Sequence, residues 1–397
     1  MNKPAACMIA YANYYTDARI KNYVEALLGQ GYAVDVFALG RESDAARPGL
    51  RVLPVMEKYW GDSPLRYAAA QLWFALRVAM LVTWHFLRRR YRLVHVHNMP
   101  DFLVFSAALA RLGGARVILD VHDTMPEAYA TKFDLPLRHP LIALLRWEER
   151  LSARFADQVI TTNDLHKEVL CLHGIEADKI EVILNVGNER LFQPVGARST
   201  ESPDRLTLVY HGTIAERLGI DLILQAVRIA AEDCPGLRLL LIGEGDFLPT
   251  VKTLVREWGL SDRVECRGFV PVEQLPAYLA AADVGVVGNR GYTEARQNYM
   301  LPVKMLEYAA MEIPTIAPRL RVIRHYFDEQ SAFFYQPDDA ADMARRIVEV
   351  HRHRELVAGV RRHLRLFNQR HNWPAMERRY LELVASRQDA RLVGEAR

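Results

Sequence analysis

Short apolar runs alternate with stretches of helical periodicity along almost the whole chain, and this limits the possible fold more than any other feature. In order come ACMIAYA, a helical stretch through 22–28, AVDVFAL, a long helical stretch at 67–87, and LVHVHN. There follow a helical stretch at 102–112 closed by Gly113-Gly114, RVILDVHD, a helical region at 141–155, QVITTN, a helix from Asp164, and KIEVILN. Strands that are apolar on both faces have no solvent side, so they need helices above and below them. The pattern predicts a parallel, doubly wound sheet.

Near 193–205 the text changes to QPVGARSTESPDR, which is polar, rich in Pro, Gly and Ser, and aperiodic, and reads as a linker. The alternation then restarts with LTLVYHG, a helix at 221–232, LRLLLIGEG, a helix at 248–258, RVECRGF, a helix through Leu279, VGVVG, a helix at 303–311 and PTIAP. The expected architecture is α/β, with two tandem Rossmann-like domains at 1–195 and 196–372 and a terminal helical segment at 373–397. A length of 397 residues suits two such cores. Ligands of doubly wound sheets bind outside the carboxyl ends of the strands, so a cleft between the two sheets is the expected site.

The net charge of +3 is too small to imply nucleic acid as a partner. Cys7, Cys171, Cys234 and Cys266 lack the spacing of a disulfide framework or a zinc knuckle, and a reducing, cytoplasmic setting is expected. The apolar run at 5–12 is not followed by the long apolar region and cleavage site of a secretory signal, and reads as a first strand. The 67–87 stretch is largely apolar, carries Trp73 and Trp84 on one helical face and runs into Arg88-Arg89-Arg90. Gln71, Arg77 and His85 argue against spanning a bilayer, since a charge at mid-helix costs about 2.5–3.5 kcal/mol. Its plainer reading is a core helix packed on a sheet; the other is reversible contact with a membrane surface through its basic end. The basic stretch at 351–370 reads as a solvated helix face.

Three segments stand out as motifs, and the first of them suits an anionic ligand. The loop His211-Gly212-Thr213 ends a strand and precedes Arg217, Gly219 and a helix, and a diphosphate suits such a helix amino terminus with an Arg beside it. Gly243-Glu244-Gly245-Asp246 also joins a strand to a helix, but with Leu248 in place of a third glycine it is not a dinucleotide fingerprint. The third is LPVKMLEYAAM at 301–311 followed by IPTIA. His95 and His97 fall on one side of a strand without a carboxylate cluster at ligand spacing and read as packing, so no metal is expected. Asp120, Asp123 and Glu127 are too loosely specified by spacing to be an acid and base pair straddling a glycosidic bond.

Taken together, YHGTIAERLGID, LLLIGEGD, RVECRGFV, AADVGVVG and the 301–317 stretch resemble the donor domain of glycosyltransferase family four, of the GT-B fold. The resemblance extends through Asp17/Arg19, HVHNMPDF, LDVHDTMPE and ILNVGNERLF in the first half. It implies a metal-independent hexosyltransferase-type enzyme without a cofactor, with a nucleotide sugar as co-substrate, UDP-sugar before GDP-sugar. The acceptor would be a saccharide or a lipid-linked saccharide, and transfer would retain configuration, in surface polysaccharide or glycolipid synthesis at the inner face of the plasma membrane. By resemblance Glu307 grips the ribose, Arg217 and Lys304 meet the leaving diphosphate, Phe269 lies in the turn that packs on the base, and Gly212, Thr213, Gly243 and Gly245 line the donor loops. His122 falls near the transferred sugar, and Asn98, Asp101, Asp123 and Glu127 on the acceptor side, with a structural role for the loop around His122 and Glu127 equally open. The last helix, from Trp373, would return to the first domain.

The chain departs from the family pattern at Tyr299, which replaces the first Glu of an E-x7-E element ending at Glu307, at Tyr14-Tyr15, which replace a glycine pair, and at Leu218, which replaces a basic residue. Glu294 is a candidate substitute for the missing Glu. Because that Glu holds sugar hydroxyls, two alternatives stay open: a non-catalytic nucleotide-sugar binding protein, which would bind donor without turnover, and a GT-B epimerase, which would turn over donor without acceptor.

Overall fold

The computed structural model describes residues 3–41, 47–59, 64–133, 135–188, 191–194, 205–291 and 299–385. The chain divides into two compact units, Met1–Leu184 with Pro374–Arg397, and Asn185–Trp373. The boundary expected at residue 195 and the candidate Glu294 lie outside the described residues.

The first unit holds β1 (Ala5–Asn13), β2 (Ala33–Leu39), β3 (Leu50–Met56), β4 (Leu93–His97), β5 (Arg116–Val121), β6 (Gln158–Thr161) and β7 (Ile180–Val182). Their order across the sheet is β3-β2-β1-β4-β5-β6-β7, with every pairing parallel. The second unit holds β8 (Arg205–His211), β9 (Gly236–Ile242), β10 (Val264–Gly268), β11 (Val284–Val286), β12 (Thr315–Pro318) and β13 (Phe333–Tyr335). Their order is β10-β9-β8-β11-β12-β13, again parallel throughout. These are the two doubly wound sheets that the alternation predicts. Each reverses its winding once, between β1 and β4 and between β8 and β11. At such a point the helices leave the sheet on opposite faces and open a crevice at the carboxyl ends.

Each unit has its own core. Ile9, Val94, Val96, Val117 and Leu119 are buried in the first, and Leu208, Tyr210, Ile223, Leu239 and Leu241 in the second. Strands β3 and β13 are absent from the apolar pattern. The segment LRVLPVM carries Arg51 and Pro54, and it forms an edge strand, where a proline is tolerated because one side of the strand has no ladder partner. Strand β13 is only three residues long, too short for a periodic signal. The 102–112 stretch is a 3-10 turn, Asp101–Ala107, continued by a short α-helix, Ala108–Leu112.

Candidate functional site

In the second unit, a group of titratable side chains comes from the end of β8, at the switch point, and from the helix Val303–Ala310. Lys304, in the helix's first turn, is buried; its ammonium donates to the Tyr210 hydroxyl at 3.3 Å and lies 4.3 Å from the Tyr210 ring centre. Burial pushes Lys304 down to about 8, against the pull of Glu307 and with a further push from Arg217. Burial likewise pushes Glu307 up to about 7 although Lys304 opposes it. A buried acid and a buried base thus titrate close to neutrality, where each responds to a charged or hydrogen-bonding ligand.

His211 completes the group. Its Nε2 lies 3.2 Å from Glu307 Oε2 without the alignment of a hydrogen bond, and its ring packs edge-on to Tyr308. Burial, then the Lys304 charge, pushes His211 down to about 3, so the imidazole is neutral at physiological pH. Tyr308 is itself fixed by a hydrogen bond to the Val209 carbonyl. Sequence reasoning named His211 only as the first residue of the 211–213 loop and gave its side chain no role of its own; its position in the last residue of β8 at a switch point was the available signal.

The glycines around this group let loops meet backbone to backbone. A Cβ on Gly243 would lie 1.9 Å from the Gly212 carbonyl oxygen, and one on Gly245 would lie 2.1 Å from the Ile214 carbonyl oxygen. The amides of Gly212, Ile214 and Gly243 are spent on Ile242, Glu244 and Gly268. Gly243 and Gly245 therefore have a packing requirement of their own, apart from any approach to a ligand. Gly212 differs in its surroundings: at an exposed position with a φ of 108°, a Cβ there would meet only the Lys304 side chain, 3.7 Å from Cε. Thr213 and Arg217 are exposed beside it, Arg217 on a 3-10 turn that leads into the helix Ile220–Ala230. Phe269, just past the end of β10, is 69% exposed. A hollow of about 600 Å³, lined by Arg205, Arg238 and Tyr278 among others, lies by the amino-terminal halves of β8, β9 and β10, away from the charged group.

In the first unit the residues at the carboxyl ends of β4 and β5 are joined by a buried network. Arg19 donates Nε to Asp120 Oδ2 at 2.8 Å and Nη2 to Oδ1 at 2.7 Å. Burial alone would raise Asp120, but the Arg19 charge, followed by His122, outweighs it and holds the carboxyl well below the usual range. His122 Nε2 lies 3.2 Å from Asp120 Oδ2 and 3.1 Å from His97 Nδ1, and the His122 side chain is 24% exposed. Asn98 brackets the two strand ends: its Oδ1 accepts from the His122 amide at 2.7 Å, and its Nδ2 donates to Asp101 Oδ1 at 2.8 Å and to the Asp123 carbonyl at 2.7 Å. Sequence reasoning gave Arg19 and Asp120 no site role. A charged residue inside a strand that is otherwise apolar on both faces, as Asp120 is, was the signal.

Of the residues expected on the acceptor side, Asp123 is partly exposed, whereas Asn98 and Glu127 are largely covered and Asp101 is fully buried. Glu127 Oε1 meets His173 Nε2 at 3.2 Å, and His173 Nδ1 also contacts Glu149. Asp101 thus supports Asn98 and has no surface open to a ligand. His95, His97 and Asp120 place ligand-type atoms within 4.8 Å of one another. Both Asp120 oxygens already accept from Arg19, so a cation there would face a guanidinium, which disfavours a metal.

Comparison with known proteins gives two family matches: the glycosyl transferase 4-like domain over residues 16–185 and glycosyl transferases group 1 over residues 205–353. One curated relative, a subunit of the phosphatidylinositol N-acetylglucosaminyltransferase of Arabidopsis thaliana, is 24% identical over 262 residues, 66% of this chain and 54% of that protein. The chain spans about half the length of curated relatives such as this one. Among solved structures, a sucrose-phosphate synthase of Thermosynechococcus elongatus is similar with a TM-score of 0.75 at 20% identity, over 98% of this chain and 100% of that one. A HepE protein of Anabaena in complex with UDP and glucose gives 0.70 at 14% identity, over 96% of this chain and 99% of that one. At such identities these structures share the fold.

Proposed function

We propose that this chain, which belongs to the group 1 glycosyl transferases, moves a hexosyl group from a nucleotide diphosphate donor, a UDP-sugar first and a GDP-sugar next, to a saccharide or lipid-linked acceptor. The observation that carries the reading is the group formed by Lys304, Glu307 and His211 at the switch point of the second sheet. A buried ammonium held down to about 8 gains its proton firmly when a diphosphate arrives, and a buried carboxyl held up to about 7 ionises when a ribose diol donates to it.

In this reading Lys304 and Arg217 stabilise the charge that develops on the departing diphosphate. Fixed cations aimed at that charge do the work a metal does elsewhere, so the reaction is metal-independent and needs no cofactor. Gly212 and Thr213 lie against the phosphates, with Gly243 and Gly245 holding the adjoining loop, and Phe269 stacks on the base. In the first unit, Asp120 orients His122 toward the transferred sugar, Asn98 fixes the strand ends, and Asp123 contacts the acceptor. Glu127 supports that side through His173. The reaction proceeds with retention, and its product belongs to a surface polysaccharide or glycolipid made on the cytoplasmic side of the membrane.

The test is a melting-curve screen against UDP-, GDP-, ADP- and dTDP-sugars, followed by product analysis with and without acceptor. A donor at about a hundred times its dissociation constant adds roughly 2.7 kcal/mol of stability. If no nucleotide diphosphate raises the melting temperature, the donor assignment fails. Donor conversion without acceptor would make the chain an epimerase, and binding without turnover a carrier.

A further inference from the structure

The helix Pro64–Arg89 is apolar on two opposite faces, and the first unit uses only one of them. Phe74, Val78, Val82 and Phe86 are buried in the core of that unit. On the other side Trp73, Leu76, Met80, Trp84 and Leu87, spaced three and four residues apart, are each 50–62% exposed, with Leu72 beside them. The neighbouring short helix Ala108–Leu112 packs at the far end, where a Cβ on Gly113 would strike the Phe86 ring, and it adds Leu112 at 86% exposure. A continuous apolar stripe of this length is not left to water without a partner.

Length and hydropathy would let this helix cross a bilayer, but only 28% of its apolar window is buried in the protein, and the buried row anchors it to the sheet. It cannot leave the core to span, so its free face can only lie along a surface. Charge indicates which surface. From Pro64 to Pro100 the chain has no Asp or Glu, while Arg88, Arg90 and Arg92 are exposed at the end of the stripe. Arg88 stacks 3.5 Å over the exposed Trp84 ring, a pairing suited to the headgroup layer, where indoles and guanidiniums both settle.

We infer that this face docks the protein on an anionic lipid bilayer, with Leu72, Leu76 and Met80 in the acyl boundary and Trp84, Arg88 and Arg90 among the headgroups. Docking is independent of the donor assignment, so failure of either leaves the other standing. The experiment is flotation of the full chain with phosphatidylglycerol vesicles and with phosphatidylcholine vesicles, comparing wild type, L76E/M80E and R88E/R90E. All these side chains are exposed, so unchanged melting curves are expected and serve as the folding control. Wild type should float with phosphatidylglycerol and release as salt rises, with tryptophan emission shifting to the blue. Each double variant should bind at least about tenfold more weakly. Equal flotation of wild type and L76E/M80E would overturn the inference, as would no flotation at all. So would a wild-type dimer that L76E/M80E separates while vesicles capture neither, which would assign the face to self-association.

Discussion

Replacing Glu307 with Gln separates a ribose-binding carboxylate from a structural one, because the two make opposite demands on the unliganded protein. Burial pushes this carboxyl from 4.5 up to about 7 even though Lys304 pulls the other way. As pH rises the unfolded chain ionises first, so the folded state loses stability between about 4.5 and about 7. At about 1.4 kcal/mol per unit that window is worth roughly 3 kcal/mol. The side chain is only 15% exposed, so solvent screens little of it. Gln carries no charge to bury, but its introduction also deprives Lys304 of its nearest carboxylate. The unliganded variant should therefore exceed wild type in stability by about 1–3 kcal/mol above pH 7 and match it near pH 4.5. Donor affinity should move the opposite way, falling by about 1.5–3 kcal/mol, or roughly ten- to a hundredfold, with the loss of a charge-assisted acceptor. In wild type that affinity should rise with pH through about 7, as Glu307 ionises, and fall beyond about 8, as Lys304 loses its proton; the variant should lack the acid limb. Calorimetric titration with donor and melting curves across pH measure both. Equal donor affinity in the two proteins would refute the placement of the ribose, and a variant less stable than wild type at high pH would mark Glu307 as a structural ion-pair partner.

Turnover should survive EDTA but fall in Arg217→Ala by about 1.5–3 kcal/mol of transition-state stabilisation; inactivation by EDTA with recovery on manganese would contradict the cation-based reading. Arg19→Met leaves the Asp120 carboxylate buried without its bidentate partner, and should cost about 3–5 kcal/mol in a denaturant titration. For His173, burial would lower the pKa, but hydrogen bonds to Glu127 and Glu149 outweigh it and raise the group to about 9. Its stabilising contribution is complete below about 6.5 and is lost as pH rises through about 9, so His173→Gln should flatten the loss of stability over that range.

The two sheets were legible in the sequence because strand and helix periodicities are local. An apolar run such as LVHVH or RLTLVYH must find cover on both faces wherever it lies, and so it announces a parallel strand. Lys304 and Glu307 were singled out through the family resemblance of the 301–317 stretch, and their place on one short helix keeps them together whatever else the chain does. What lies far apart in sequence was not legible. Arg19 and Asp120 stand 101 residues apart and meet only because β1, β4 and β5 are neighbours in the sheet. Strand order, which creates the switch points, is set by packing between helices and sheet and leaves no mark on any single segment. The burial that drives Glu307 up and Lys304 down is a property of the filled space around them, and Asp101 and Glu127 looked like open ligands until that space was seen to be occupied. The helix Pro64–Arg89 shows the same division: its apolar composition was plain in the sequence, but only the packed core decided which face is covered and which meets the solvent.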